Sequence, residues 1–261
     1  LFDMKFRFLL LFSFLFLMNA NAQKHYNLLV GTYTNSCQSE GIYVYDFNSA
    51  TGEFLPKGLS KKVVNPSYLT ASADHKKIYS VNENGKESSV SSFNFDSQKG
   101  TIELINKQNS EGADPCHIIN DDKNVIVANY SGGNISVFGK NADGSLSKAK
   151  QTIKHEGHSV KKQQQSPHVH QVNFSPDKQY VLANDLGNDR IYVYKYNPNT
   201  ANQTLQFKDT IPTKTGSGPR HLAFSPAGKN LYLLQELDGT LTVFNYEDGK
   251  VRRIQETSIV A

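Results

Sequence analysis

The stretch SPHVHQVNFSPDKQYVLANDLG, residues Ser166–Gly187, decides the fold because it is not unique in the chain. NPSYLTASADHKKIYSVNEN (Asn65–Asn84), DPCHIINDDKNVIVANYSGG (Asp114–Gly133) and GPRHLAFSPAGKNLYLLQELDG (Gly218–Gly239) follow the same plan. Each opens on a proline, continues through an apolar strand and a Ser/Asp turn, and ends on a second apolar strand. The prolines Pro66, Pro115, Pro167 and Pro219 are spaced by 49, 52 and 52 residues. An alternating third segment follows each unit: SSVSSFNFD, GNISVFGK, DRIYVYKYN and GTLTVFNYE. A looser fourth follows that, as in TIELINK and TLQFKDT. Alternating Val, Ile, Tyr and Phe between Asp, Asn and Gly turns predicts strands, and no sustained helical period interrupts them. Four antiparallel strands per repeat of about fifty residues describe the blades of an all-β propeller. HYNLLVGTYTNSCQSEGIYVYDFNSATGEFL, from His25, matches the second to fourth strands of a repeat and lacks the proline-led first. The chain therefore holds about five blades.

The 261 residues are 38% hydrophobic, enough for a substantial core. A formal charge of +4 suits an anionic small molecule, and the 28 basic residues are dispersed, so nucleic acid is not expected as a partner. From Met4 the sequence MKFRFLLLFSFLFLMNANAQ has the basic start, short apolar run and Ala20-Asn21-Ala22 end of a secretory leader. Residues 1–22 are accordingly expected to be upstream residues plus leader, and 23–261 the exported propeller, without a stable membrane span once the leader is cleaved. The two cysteines, Cys37 and Cys116, are far apart, and the sequence leaves open whether they pair.

Superimposing the repeats on their Ser/Asp turns locates a site. Six residues before the middle of each turn stand Ser67, His170 and Arg220, and one gap brings Cys116 into the same slot. Each second strand ends on Glu83, Tyr130, Asp185 or Glu236. Both positions are expected at one mouth of the central channel. A carboxylate there can activate water, a histidine can shuttle a proton, and an arginine can hold an anion and offset oxyanion charge, a set that suits opening a lactone. The alternative for Asn82-Glu83, Asn184-Asp185 and Gln235-Glu236 is strand capping through turn hydrogen bonds. His155, His158, His168 and His170 do not have the spacing of a specific zinc site. Neither a Gly-x-Ser-x-Gly elbow nor a Gly-rich phosphate loop is present.

In combination, LLVGTYT, GIYVYDF, NPSYLTAS, VANYSGGNISVF, HEGHSV, SPHVHQVNFSPD, LANDLGNDRIYVY and GSGPRHLAFSPAGKNLY resemble the lactonase family of seven-bladed propellers, of the 6-phosphogluconolactonase and carboxy-cis,cis-muconate cyclase type. The resemblance runs from about Tyr26 to the end of the chain. It implies a seven-bladed fold, of which this chain would be a C-terminally truncated part, and a hydrolase opening an anionic sugar-acid lactone without metal or cofactor. Carried over by position, the family's catalytic residues fall on His170, with His168 as the other choice, Arg220 and Glu236, while a further family arginine would lie beyond Ala261. His168, Asp185, Glu83 and Tyr130 are expected to contact substrate. A calcium-dependent gluconolactonase using Glu83, Asn129, Asn184 and Glu236, or a propeller that binds a partner without turnover, are the competing readings.

Overall fold

The computed structural model describes residues 24–260. The expected leader, residues 1–22, lies outside the described residues. The first sheet has three strands, β1 His25–Val30, β2 Tyr43–Asn48 and β3 Phe54–Leu59. Four four-stranded sheets follow. They are β4 Leu69–Ala71, β5 Lys77–Asn82, β6 Ser89–Asp96 and β7 Thr101–Asn109; then β8 Pro115–Asn120, β9 Asn124–Asn129, β10 Asn134–Lys140 and β11 Leu146–Lys154. Next come β12 Val169–Phe174, β13 Tyr180–Asp185, β14 Arg190–Tyr196 and β15 Leu205–Pro212; the last sheet is β16 Pro219–Phe224, β17 Asn230–Gln235, β18 Thr240–Glu247 and β19 Lys250–Ser258. Within each sheet the strands are neighbours in chain order and antiparallel, the meander of a propeller blade. Among the described residues no α-helix is present, and no helix is long and apolar enough to cross a membrane.

The repeated Ser/Asp turn has a common construction. Ser72 and Ser175 each donate a hydroxyl hydrogen bond to the Asp two residues on, at 2.6 Å, and accept one from the backbone N–H at the start of the next strand. The third residue after each serine is left-handed: His75 at φ 56°, Lys178 at φ 56° and Gly228 at φ 70°. Only the last copy uses the residue that takes this conformation without strain.

The core lies between successive sheets. Val181 and Ala183 of β13 pack towards Ile126, Ala128, Ile135 and Val137 of the preceding blade. Leu182, on the opposite face of the same strand, packs with Leu222, Leu231, Leu233 and Phe244 of the following blade. The second strands β5, β9 and β13 are thus buried on both faces and read as continuous apolar runs, whereas β17 leaves Tyr232 exposed. Each such side chain contributes about 1.5–3 kcal/mol on burial. Two further layers of this kind join the earlier blades. Stacking places the inner strands β4, β8, β12 and β16 around one channel, with their first residues at the same end.

Candidate functional site

The residues that open the inner strands reach the channel through β-bulges. In β12 Val169 pairs with Asp185 and Gln171 with Asn184, so His170 is the extra residue. In β16 Pro219 pairs with Gln235 and His221 with Leu234, leaving Arg220. In β8 Pro115 pairs with Asn129 and His117 with Ala128, leaving Cys116. A bulge leaves the extra residue unpaired, bends the strand locally and so re-aims that side chain. His170, Arg220 and Cys116 all line one pocket of about 480 Å³, together with Ser67, their equivalent in the earlier blade. That volume is within the range of small-molecule sites.

Glu83, Tyr130 and Glu236, from the ends of second strands, line the same pocket, and Tyr33, Tyr68, Asp114, Ser131 and His221 complete it. Arg220 Nη1 lies 3.2 Å from Glu236 Oε2, both side chains remaining partly open to solvent. Glu83 accepts hydrogen bonds from Tyr33 Oη at 2.6 Å and from Ser67 Oγ at 2.5 Å. Burial, reinforced by Glu83, pushes the Tyr33 hydroxyl up to about 12, so it stays a donor. The His170 ring stands 5.0 Å from His221 and 5.5 Å from Tyr130, in edge contact with both. Burial first, then the charge of Arg220, lowers His170 to about 3, and the same two causes lower His221. Both imidazoles are therefore neutral near pH 7. His117, lowered to about 3 chiefly by burial, is in edge contact with His221 on its buried side.

Asp185 corrects the sequence-based placement. The backbone N–H groups of Glu83, Tyr130, Leu186 and Glu236 donate to the carbonyls of Asn65, Asp114, His168 and Gly218. Leu186, fully buried, is thus the fourth member of the mouth position. Asp185 is one residue earlier, in register with Asn129 and Gln235, and a one-residue slip exchanges the faces of a strand. It is 0% exposed. Its Oδ1 accepts from the backbone N–H of His168, Gly187 and Asn188, and its Oδ2 from Asn188 Nδ2 and His155 Nδ1. Asp185 is therefore not a rim residue; it caps the turn Leu186–Asn188 from inside.

His168 is not among the pocket-lining residues. Its Nδ1 donates to the Tyr130 carbonyl at 3.1 Å and its ring stacks on the Tyr130 ring at 4.5 Å, so it supports the wall from behind. Asn129 and Asn184 are fully buried and do not line the pocket that Glu83 and Glu236 line, so the four residues of the calcium reading do not meet in it. His155 is occupied, between Asp185 and Tyr194 at 2.8 Å each. Among the described residues, no group of three or more His, Cys, Asp or Glu is arranged to hold a metal. Cys37 and Cys116 are both free thiols. Sequence reasoning missed Tyr33 and His221. His221 follows the bulged Arg220 as His117 follows Cys116, a signal visible only once the bulge is known; Tyr33 belongs to the incomplete blade, which offered no slot for comparison.

Comparison with known proteins gives a consistent answer. The family model described as lactonase, 7-bladed β-propeller, matches residues 27–261. A Bacillus subtilis protein named 6-phosphogluconolactonase is 33% identical over 242 residues, covering 88% of this chain and 66% of its own. The chain thus spans just under two thirds of that curated relative. A Bacteroides fragilis protein of known structure, described as a candidate 6-phosphogluconolactonase, is 43% identical at a TM-score of 0.90, over 93% of this chain and 70% of the other. The periplasmic gluconolactonase of Pseudomonas aeruginosa is 38% identical at a TM-score of 0.84, over 91% and 69%.

Proposed function

The chain belongs to the lactonase family of seven-bladed β-propellers, and from that premise we propose that it is a lactone hydrolase opening a sugar-acid lactone at the channel mouth. The observation that carries the reading is the convergence of His170, Arg220 and Glu236, from two successive blades, on one pocket of about 480 Å³. The Glu236 carboxylate accepts a proton from water as the water oxygen bonds to the acyl carbon. The Arg220 guanidinium offsets the charge that develops on the carbonyl oxygen. The acyl–oxygen bond of the ring then breaks, and the ring oxygen leaves as a hydroxyl after taking a proton. His170, neutral and beside Arg220, passes that proton from the attacking side to the leaving side. Glu83 and Tyr130 contact the substrate, and His168 holds the Tyr130 wall. The hydroxy-acid product ionises, so each turnover releases one proton.

The test is proton release by the full-length protein from glucono-δ-lactone and from 6-phosphoglucono-δ-lactone. Loss of turnover in Glu236→Gln supports the assignment; an unchanged rate removes Glu236 as the base. Export belongs to the same reading, with 1–22 as upstream residues plus leader and 23–261 as the propeller domain. Intact-mass measurement of protein recovered from the exported fraction should give a start near Gln23, and retention of the apolar segment would refute cleavage.

A further inference from the structure

We propose that Asp189 is a positioning residue for the site: its carboxylate holds the loop from which Arg220 and Glu236 both take their placement, without touching substrate itself. The inference rests on the lactonase reading and deepens it. Asp189 follows the turn Leu186–Asn188 and is left-handed at φ 51° and 6% exposed. Four donors reach its side chain. Oδ1 accepts from Gln164 Nε2 and from the Gly218 N–H, both at 2.8 Å. Oδ2 accepts from Ser159 Oγ and, at 2.6 Å, from the Gly216 N–H. A carboxylate has about four lone-pair sites, so none is left for a ligand. Asp189 is also not among the residues lining the pocket. Its backbone carbonyl accepts the Thr213 N–H, so main chain and side chain grip the same loop.

That loop, 213–218, runs directly into the bulge of β16. Gly216 and Gly218 are left-handed, at φ 80° and 68°, which glycine adopts without strain and which lets both N–H groups converge on one carboxylate. Pro219 follows Gly218, and Arg220 is the unpaired residue after it. The Gly218 carbonyl accepts the Glu236 N–H at 2.8 Å, and the Ser217 carbonyl accepts the Leu237 N–H at 2.9 Å. One segment held by Asp189 therefore carries Arg220 covalently and Glu236 through hydrogen bonds. The 3.2 Å approach of Arg220 Nη1 to Glu236 Oε2 depends on where this segment lies. The other two donors, Ser159 and Gln164, belong to the connection that leads into β12 and His170. Gln164 is fully buried and also donates to the Leu186 carbonyl at 2.8 Å. Asp189 thus joins the approaches to both bulged residues. Every group in the network lies between Ser159 and Leu237, in two adjoining blades and their connections. Charge on the acceptor strengthens each of the four side-chain bonds.

The experiment is Asp189→Asn in the full-length protein. Each oxygen of Asp189 holds one glycine N–H and one side-chain donor, so either orientation of the amide releases a glycine N–H. Steady-state kinetics on glucono-δ-lactone, well below the variant's Tm, should show kcat lowered by about 10- to 100-fold with KM within about threefold. That split is expected when a charge acting in the transition state is displaced. Asp121→Asn is the control. Asp121 holds Tyr196 Oη and the N–H groups of Lys123 and Asn124 in the turn at the opposite end of a blade. Its loss should lower Tm and leave kcat within about twofold. An unchanged kcat in Asp189→Asn overturns the inference, as does an equal fall in the control. Should the wild type open no lactone, the lactonase reading fails, and positioning is read from amide hydrogen exchange followed by NMR. Asp189→Asn should then speed exchange of the Gly218 and Glu236 N–H groups by about tenfold or more relative to the amides of β9, and unchanged rates refute it. If Asp189→Asn does not fold, exchange in the wild type decides: protected Gly216 and Gly218 N–H groups uphold the hold of Asp189 on the loop, and rates of an open loop refute it.

Discussion

Replacing Asp185 tests whether a carboxylate first placed at the mouth acts from within the blade. Asp185→Asn preserves volume and leaves one oxygen to accept the three backbone N–H groups of His168, Gly187 and Asn188. The other oxygen becomes an amide nitrogen facing the Asn188 Nδ2 donor, 2.9 Å away in the native arrangement, so donor meets donor. His155 Nδ1, 2.8 Å away, must exchange its tautomer to accept, which reverses its bond with Tyr194. The substitution also removes the charge that strengthens all five hydrogen bonds, in a site with no access to water. Leaving buried hydrogen-bonding groups mispaired costs about 1–3 kcal/mol. For a domain of this size, about 2–4 °C per kcal/mol puts the loss in Tm at roughly 2–12 °C. Thermal unfolding followed by circular dichroism reads this, and lactone hydrolysis well below the variant's Tm reads the site. KM should stay within about threefold of wild type, because no Asp185 atom reaches the pocket and a side chain without substrate contact contributes no uniform binding. An unchanged Tm with KM raised tenfold would refute the buried cap and return Asp185 to the mouth.

Two further outcomes follow from the pocket. Glu236→Gln should lower kcat/KM by about 10²–10⁴, the usual contribution of a general base. Its stability should change by no more than about 1 kcal/mol, since the ion pair with Arg220 is partly exposed, and urea unfolding checks this. Stability should also depend on pH through His117 and His170, both lowered from 6.5 to about 3. Their native pKa lies below the unfolded one, so the unfolded chain binds more protons in between. Their contribution is complete above about pH 6.5 and is lost as pH falls towards 3. Between pH 7 and 5 the pair should cost about 2–4 kcal/mol of unfolding free energy, allowing for partial solvent access. A flat urea-denaturation profile over that interval would show that the two rings are not buried neutral.

The repeat was legible because a blade's burial pattern is written locally. Second strands buried on both faces in three blades and on one face in the last leave apolar runs at a fixed period, and two of the turns beside them repeat the same Ser-to-Asp hydroxyl–carboxylate bond. The slot residues were legible for a less direct reason. Counting from the turn works for His170, Arg220 and Cys116 because β12, β16 and β8 each carry a bulge near the same distance from that turn. Register at the far end of the second strand is less constrained from the sequence. From Ser72 to Glu83 and from Ser225 to Glu236 the count is eleven, whereas Ser175 to Asp185 is ten. The chemical likeness of Asp to Glu favoured Asp185, while hydrogen bonding gives the position to Leu186.

That substitution of Leu186 for an acid has a consequence for the site. Of four mouth positions two are carboxylates, Glu83 and Glu236, one is an aromatic, Tyr130, and one is closed by a buried leucine. The acids therefore do not form a ring. They reach the pocket from different blades, with Glu236 tied to Arg220 and Glu83 tied to two neutral hydroxyls. Environments this different separate like groups: Glu236 is paired with a guanidinium, and Glu83 is held by two hydroxyls. The same bulge that turns His170 and Arg220 inward leaves Gln171 and His221 next to them, still paired in the ladder. Gln171 Oε1 accepts from Asn184 Nδ2 and from the Leu222 N–H, tying the His170 blade to the Arg220 blade directly behind the two side chains. The relative placement of His170 and Arg220 is thus supported by an inter-blade bond, which the proposed preorganised site requires.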